Sequence, residues 1–220
     1  MQEQLALRRS RLAAGHRHLG WKVGFGAPAA MESLRLDGPL VGFLTDGSLV
    51  APDEEVSIQG WVRAVAEPEL AAWIRSDVPT AASPDEVRAA IGALGPAIEL
   101  ADVDPQPEDV EQILAGNIFH RRVILGHRDP ARAGASLEGF VGRVWVDDDQ
   151  VAEVSDPEAV TGPLLRVVAH VAATLAAVGE GLKAGDIVIT GSIVPPIPLA
   201  APAQIRFEIP GSDPVTARVR

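Results

Sequence analysis

The chain has 220 residues, 47% hydrophobic and 22% charged, enough to bury a full core in one domain by default, although two small ones also fit. Its net charge of −11 excludes a nucleic-acid backbone or an anionic membrane surface as the main partner, yet leaves room for a small anionic substrate beside a bound cation. Cysteine is absent, which excludes disulfides, thiolate catalysis and thiolate metal sites and fits a cytoplasmic setting.

An arginine-rich helix is predicted over about Gln4–Ala14; Met1–Arg11 mixes charged and apolar residues and reads as part of it, not as a secretory leader. Gly20–Phe25 reads as a short strand and Leu40–Thr45 as a second, ended by the Asp46-Gly47 turn. Val56–Ile74 is a long apolar run interrupted by Pro68, read as one strand with a bend. Ser83-Pro84-Asp85-Glu86 opens a helix, with Ser83 as cap, Pro84 in the first turn and Glu86 completing a capping box. That helix is expected to stop near Gly95. Pro96–Asp102 then reads as a strand, Pro107–Ala115 as a short acidic helix and Asn117–Leu125 as a strand.

Gly142–Val146 and Val151–Val154 flank Asp147-Asp148-Asp149 as a hairpin. Pro163–Val178 is the strongest helix pattern, opened by Pro163 and stopped by Gly179. That run is broken by Arg166 and His170, and Ile193–Ala203 is proline-rich, so neither is expected to span a bilayer and the chain reads as soluble. Asp186–Thr190 reads as a buried strand, and strands near Ile205–Ile209 and Val215–Val219 close the chain. Many strands, few helices and no regular alternation predict a β-rich α+β domain over residues 1–220, with residues 1–19 as an N-terminal helical segment.

Glu67 and Glu69 stand two apart in an apolar strand, which puts both on one face with α-carbons roughly 6.5–7 Å apart. Glu99 lies in a similar setting, Pro96-Ala97-Ile98-Glu99-Leu100-Ala101. Carboxylates buried in such strands must take up protons, find cationic partners or bind a metal, unless the strand face is open to solvent. Three glutamates without histidine would make an oxygen-only site suited to Mg²⁺ or Mn²⁺. Among 19 basic residues only Lys22 and Lys183 are lysines, and Lys183 lies in the polar turn Gly181–Asp186.

Gly20-Trp21-Lys22-Val23-Gly24, Glu67-Pro68-Glu69, Pro96-Ala97-Ile98-Glu99 and Leu182–Ser192, in this order, resemble the 2-keto-4-pentenoate hydratase and 4-oxalocrotonate decarboxylase branch of the fumarylacetoacetate hydrolase superfamily. The similarity runs from about Leu7 to Phe207. The resemblance implies a mixed β-sandwich-like roll with few flanking helices, a single catalytic domain, Mg²⁺ or Mn²⁺ on Glu67, Glu69 and Glu99, a small anionic 2-oxo acid substrate and a homo-oligomer. It further implies Lys22 near the substrate carboxylate, balancing charge or relaying a proton as a catalytic residue, and Asp37 as a candidate acid/base, although Asp37-Gly38-Pro39 is also a good turn. Asn117, Thr190, Gly191 and Ser192 become candidate substrate contacts, the last three against the alternative of a plain strand-end turn.

The pattern departs from the family in three places. The helical segment ahead of Gln4 is shorter than in the hydratases. Phe119 stands where a serine is expected, and His120 beside it is a candidate for substitute acid/base chemistry. Gly26–Leu34 carries Glu32 but no histidine, against a carbon–carbon hydrolase with a His-x-x-Glu pair. The leading expectation is hydration of a 2-hydroxy-dienoate. Decarboxylation of a vinylogous 2-oxo acid, carbon–carbon hydrolysis, and a lapsed metal-binding subunit are the alternatives.

Overall fold

Strands dominate because β-branched and apolar residues alternate in short runs between turn signals, and tertiary pairing then decides which runs become sheet. The computed structural model describes residues 1–51, 54–103 and 109–220. The elements run α1 (Gln2–Ala13), β1 (His18–Gly24), α2 (Pro28–Leu34), β2 (Leu40–Thr45), β3 (Glu55–Val56), β4 (Ala64–Ile74), α3 (Pro84–Ala90), β5 (Ile91–Asp102), α4 (Val110–Ala115), β6 (His120–Leu125), β7 (Gly142–Val146), β8 (Asp149–Val154), α5 (Leu164–Ala176), β9 (Ile187–Ser192), β10 (Ile197–Pro198), β11 (Ala203–Glu208) and β12 (Val215–Val219).

Among the described residues a seven-stranded sheet has the order β2-β1-β9-β4-β5-β6, with β10 also on β4, and a five-stranded sheet the order β3-β12-β11-β7-β8. Pairing is antiparallel except for β1 with β9 and β3 with β12. This is the expected strand-rich α+β architecture. Helix α5 buries Leu164, Val167, Val168, Val171, Ala172 and Leu175, one stripe at helical spacing, against a core that both sheets share. Each such fully buried aliphatic side chain stabilises the fold by about 1.5–3 kcal/mol.

Alternation along the central strands sorts the site from this core. Leu70, Ala72 and Ile74 of β4 and Ile98 and Leu100 of β5 join the main core. Residues on the opposite face, Ala71 and Ala97, meet Leu44, Val123, Ile187 and Ile189 in a smaller cluster. Glu67, Glu69 and Glu99 share that second face by the period of two, and Glu67 stands directly opposite Glu99 in the β4–β5 register. Pro68 is tolerated inside β4 because it falls where β9 leaves the strand and β10 takes over.

Several boundaries differ from the sequence reading. Val56–Ile74 is two strands in different sheets, parted by a turn at Gly60 whose exit is fixed by Val62 and Arg63 N–H groups donating to Asp102 Oδ1, both at 2.9 Å. The helix capped by Ser83 forms with its capping box but ends at Ala90, because Ile91 and Ala93 pair with Ile74 and Trp73 of β4. Helix α2, opened by Pro28, was not foreseen. The acidic helix is seen from Val110; Pro107 and Glu108 lie outside the described residues.

The strand expected from Asn117 begins only at His120. Asn117, Ile118 and Phe119 are all left-handed, with φ of 56°, 55° and 61°. Such a run costs roughly 1–2 kcal/mol per residue, so other contacts must hold it. Asn117 supplies them: its amide accepts from Phe43 N–H and donates to Phe43 O, both at 2.9 Å, and Gln4 of α1 donates to Asn117 Oδ1 at 3.3 Å. Asn117→Ala would leave a buried backbone N–H unpaired and is expected to cost about 2–3 kcal/mol. Urea denaturation of the metal-free protein measures this; a change under about 0.5 kcal/mol would contradict the pinning role.

Candidate active site

Four strands bring the titratable groups together. Glu67 and Glu69 come from β4, Glu99 from β5, Lys22 from β1 and His120 from β6. One carboxylate oxygen from each of Glu67, Glu69 and Glu99 lies within 4.8 Å of the others. Glu99 is 0% exposed, Glu69 1% and Lys22 1%. Lys22 reaches this depth because Gly42 opposite it has no side chain; a β-carbon there would stand 2.8 Å from Lys22 Cγ.

The Lys22 ammonium donates to Glu99 Oε1, and at 3.3 Å to Ile118 O. His120 Nδ1 meets the same Glu99 oxygen at 2.8 Å. Gly191, at φ 90°, turns its N–H onto Glu69 Oε2 at 2.6 Å. Glu69 Oε1, Glu99 Oε2 and His120 Nε2 remain buried with no partner among the described residues.

Three carboxylates against one ammonium leave two negative charges unbalanced when all are ionised. Burial, then the charge of Glu99, pushes Glu67 from 4.5 up to about 7, with Lys22 opposing. Burial, then Glu99 and Glu67, raises Glu69 well above the usual carboxylate range. In Glu99 burial also works upward, but Lys22 and the hydrogen bond from His120 outweigh it and hold the group low. Burial opposes the Lys22 charge, and Glu99, Glu67 and Glu69 overcome it, so that group is raised. Burial lowers His120, against the opposing hydrogen bond and charge of Glu99 and with Lys22 and Arg11 adding to the fall.

Through Glu67 the cluster opens onto a cavity of about 410 Å³, lined also by Thr161, Gly191 and Ser192 and by apolar side chains including Phe25, Phe119 and Val194. Its donors fit a hard divalent cation: oxygen only, two excess charges, and buried oxygens without partners.

The other expected site residues are placed differently. Asp37 is exposed on the loop after α2 and is not among the residues lining the cavity. The buried amide of Asn117 is spent on Phe43 and Gln4, and the Thr190 hydroxyl donates to Leu70 O at 3.0 Å; both hold backbone. Ser192 lines the cavity, its hydroxyl donating to Val194 O at 2.7 Å. His120 is brought in by a register shift of the β5–β6 pair between Leu100 and Ala101, which no sequence period announces. Phe25 and Thr161 also line the cavity without having been singled out in the sequence.

The family described as fumarylacetoacetate (FAA) hydrolase C-terminal matches residues 20–220. The chain belongs to the fumarylacetoacetate hydrolase family. Within it, the chain is 29% identical to a 2-hydroxyhexa-2,4-dienoate hydratase of Comamonas testosteroni over 215 residues, 94% of this chain and 80% of the relative. A 2-keto-4-pentenoate hydratase of Paraburkholderia phymatum is 26% identical over 211 residues, 94% of this chain and 80% of that one. The solved 4-oxalocrotonate decarboxylase of Pseudomonas putida G7, complexed with magnesium and adipate, superposes with a TM-score of 0.89 at 26% identity, covering 99% of this chain and 83% of that one.

The raised carboxylates set a sign for stability against pH. A group that binds its proton more tightly folded than unfolded stabilises the fold fully below its unfolded value, near 4.5, and loses that stabilisation as pH rises through its folded value. For Glu67 the loss runs from about 4.5 to about 7, and Glu69, raised by the same burial, adds to it with the same sign. The melting temperature of EDTA-treated protein is therefore expected to fall by several degrees between pH 5 and 8, and the increment from saturating Mg²⁺ to grow over the same range. Glu69→Gln should shrink both, leaving the smaller fall that Glu67 sets, with a more stable metal-free protein at pH 8 and a weakened response to Mg²⁺. A flat pH profile would contradict the crowding of charge.

Proposed function

We propose that this chain hydrates a 2-hydroxy-dienoate or a closely related 2-oxo acid, as a divalent-metal-dependent lyase of the fumarylacetoacetate hydrolase family. The observation that carries the reading is the convergence of Glu67, Glu69 and Glu99, with unpartnered buried oxygens on Glu69 and Glu99, beside a cavity that Glu67 lines and that is large enough for a small acid. The near-full-length relatives named as hydratases and decarboxylases support it.

Glu67, Glu69 and Glu99 would hold the cation, and magnesium or manganese suits their all-oxygen set. When bound it supplies a Lewis acid toward the carboxylate and 2-oxygen of the substrate. The remaining work falls to the chain. Glu67, Gly191 and Ser192 line the cavity, so the acid head of the substrate is placed beside them. Lys22 acts from behind the wall: bound to Glu99 and Ile118 O, its ammonium keeps Glu99 ionised and moderates the charge of the cluster. His120 fixes the orientation of Glu99 through Nδ1. Asn117 and Thr190 hold the backbone that carries Ile118 and Gly191. Asp37, exposed outside the cavity, is given no catalytic part.

Decarboxylation is the second reading, favoured by the likeness to the solved decarboxylase. Retention of all three carboxylates and Lys22 speaks against a lapsed subunit. A homo-oligomer is part of this reading as what the family resemblance implies, and a cytoplasmic setting is compatible with a chain that has no cysteine. Among the described residues no helix is long and apolar enough to cross a membrane.

Incubation with 2-hydroxypenta-2,4-dienoate and with 2-oxohex-3-enedioate, each with Mg²⁺, Mn²⁺ or EDTA, tests the reading. Metal-dependent ultraviolet loss of the first, without CO₂, is expected for hydration, and CO₂ release from the second would move the assignment to decarboxylation. Glu67→Ala/Glu99→Ala should lose both metal binding and turnover; wild-type metal affinity in that variant would sink the ligand assignment.

A further inference from the structure

Glu67 is the only charged side chain among the described residues that line the cavity, with Thr161 and Ser192 as its hydroxyls. Its other walls include Phe25, Phe119, Ala30, Val103, Val160 and Val194, with no lysine, arginine or histidine among the described lining residues. The residues outside the description, 52–53 and 104–108, include no basic side chain in the sequence either. Lys22, buried nearby, is not among the lining residues and donates to Glu99 and Ile118 O.

Phe25 and Phe119 form the distinctive part of this wall. Their ring centroids are 6.3 Å apart at a 57° tilt, and both pack on the cluster of Leu40, Ile113 and Ile118. Both sit in the left-handed region, with φ of 58° and 61°. That conformation is costly for bulky residues and persists where the surroundings over-determine it, most often around functional sites. Phe119 is held by the Asn117 pin on one side and by Asp102 N–H, which donates to Phe119 O at 3.1 Å, on the other. Two strained backbones thus present two rings to the same space.

From this we infer that the cavity selects a 2-oxo acid whose far end is apolar and uncharged, with the Phe25–Phe119 pair as the surface that recognises it. A second carboxylate there would be stripped of water with no cation to meet it, whereas an alkyl or alkenyl tail would bury apolar area against the rings. The inference rests on the proposed placing of the acid head beside Glu67, and it adds what lies at the other end.

Calorimetric binding to the Mg²⁺-loaded protein tests it without turnover, using pyruvate, 2-oxobutanoate, 2-oxohexanoate and 2-oxooctanoate against 2-oxohexanedioate. Affinity should rise up to about fourfold per methylene along the alkyl series, and 2-oxohexanedioate should bind at least about tenfold more weakly than 2-oxohexanoate. In Phe119→Ser the gradient should fall below about twofold per methylene, with Phe25→Ser as a second variant if the first does not fold. A flat series, equal or tighter binding of the dicarboxylate, or an unchanged gradient in the folded variant would overturn the inference while leaving the lyase reading intact. Failure of every acid, pyruvate included, to bind would remove the head-group placement and the inference with it.

Discussion

Three carboxylates and one ammonium, buried except where Glu67 meets the cavity, are held against the carboxylates' repulsion by the strands that carry them. Glu67 and Glu99 are locked opposite each other by the β4–β5 register, and Glu69 follows Glu67 at the period of the strand. The protein's response is asymmetric. Glu99 receives Lys22 and His120 and stays ionised; Glu69 receives the Gly191 N–H; Glu67 stands at the cavity and carries much of the remaining strain. That division leaves one negative group secured and two that favour either a proton or a cation.

The surrounding architecture follows from the need to deliver these groups. Gly42 gives the Lys22 stem its passage, and Gly191 adopts the positive φ that turns its amide to Glu69. The left-handed turn from Asn117 to Phe119 serves two ends at once. It offers Ile118 O to Lys22 on the buried side and sets Phe119 on the cavity side. Asn117 and Gln4 tie this turn to β2 and α1, so the N-terminal helix contributes to the site through a scaffold and not by contact with the cavity. Local strain and global packing therefore meet at one short segment between α4 and β6.

How much of this could be read in the chain depends on the range of the cause. The pairing of Glu67 with Glu69 was legible because strand alternation is local, and the Ser83–Glu86 capping box for the same reason. Glu99 and Lys22 come from other strands, and only the order of motifs shared with a family linked them to the pair. The contact of His120 with Glu99 depends on a bulge set by pairing with Leu100 and Ala101, and the positive φ run at Asn117–Phe119 depends on hydrogen bonds to Phe43, far away in the chain. Residues 56–74 were read as one strand since their apolar run continues; Asp102 on another strand, by capturing the Val62 and Arg63 amides, helps fix where β4 starts. Asp37 was a candidate through the family resemblance alone, its neighbours reading as a turn, and the fold leaves it exposed.

If the unbalanced charge of Glu67, Glu69 and Glu99 is what the fold is built to present, a cation should settle between them and nowhere else comparable. An anomalous difference map from crystals grown with Mn²⁺ tests this directly. The expected result is a strong peak at ordinary metal–oxygen distance, about 2.1 Å, from a carboxylate oxygen of each of the three. A map with no peak there, or with the ion held at another cluster of acids, would contradict it.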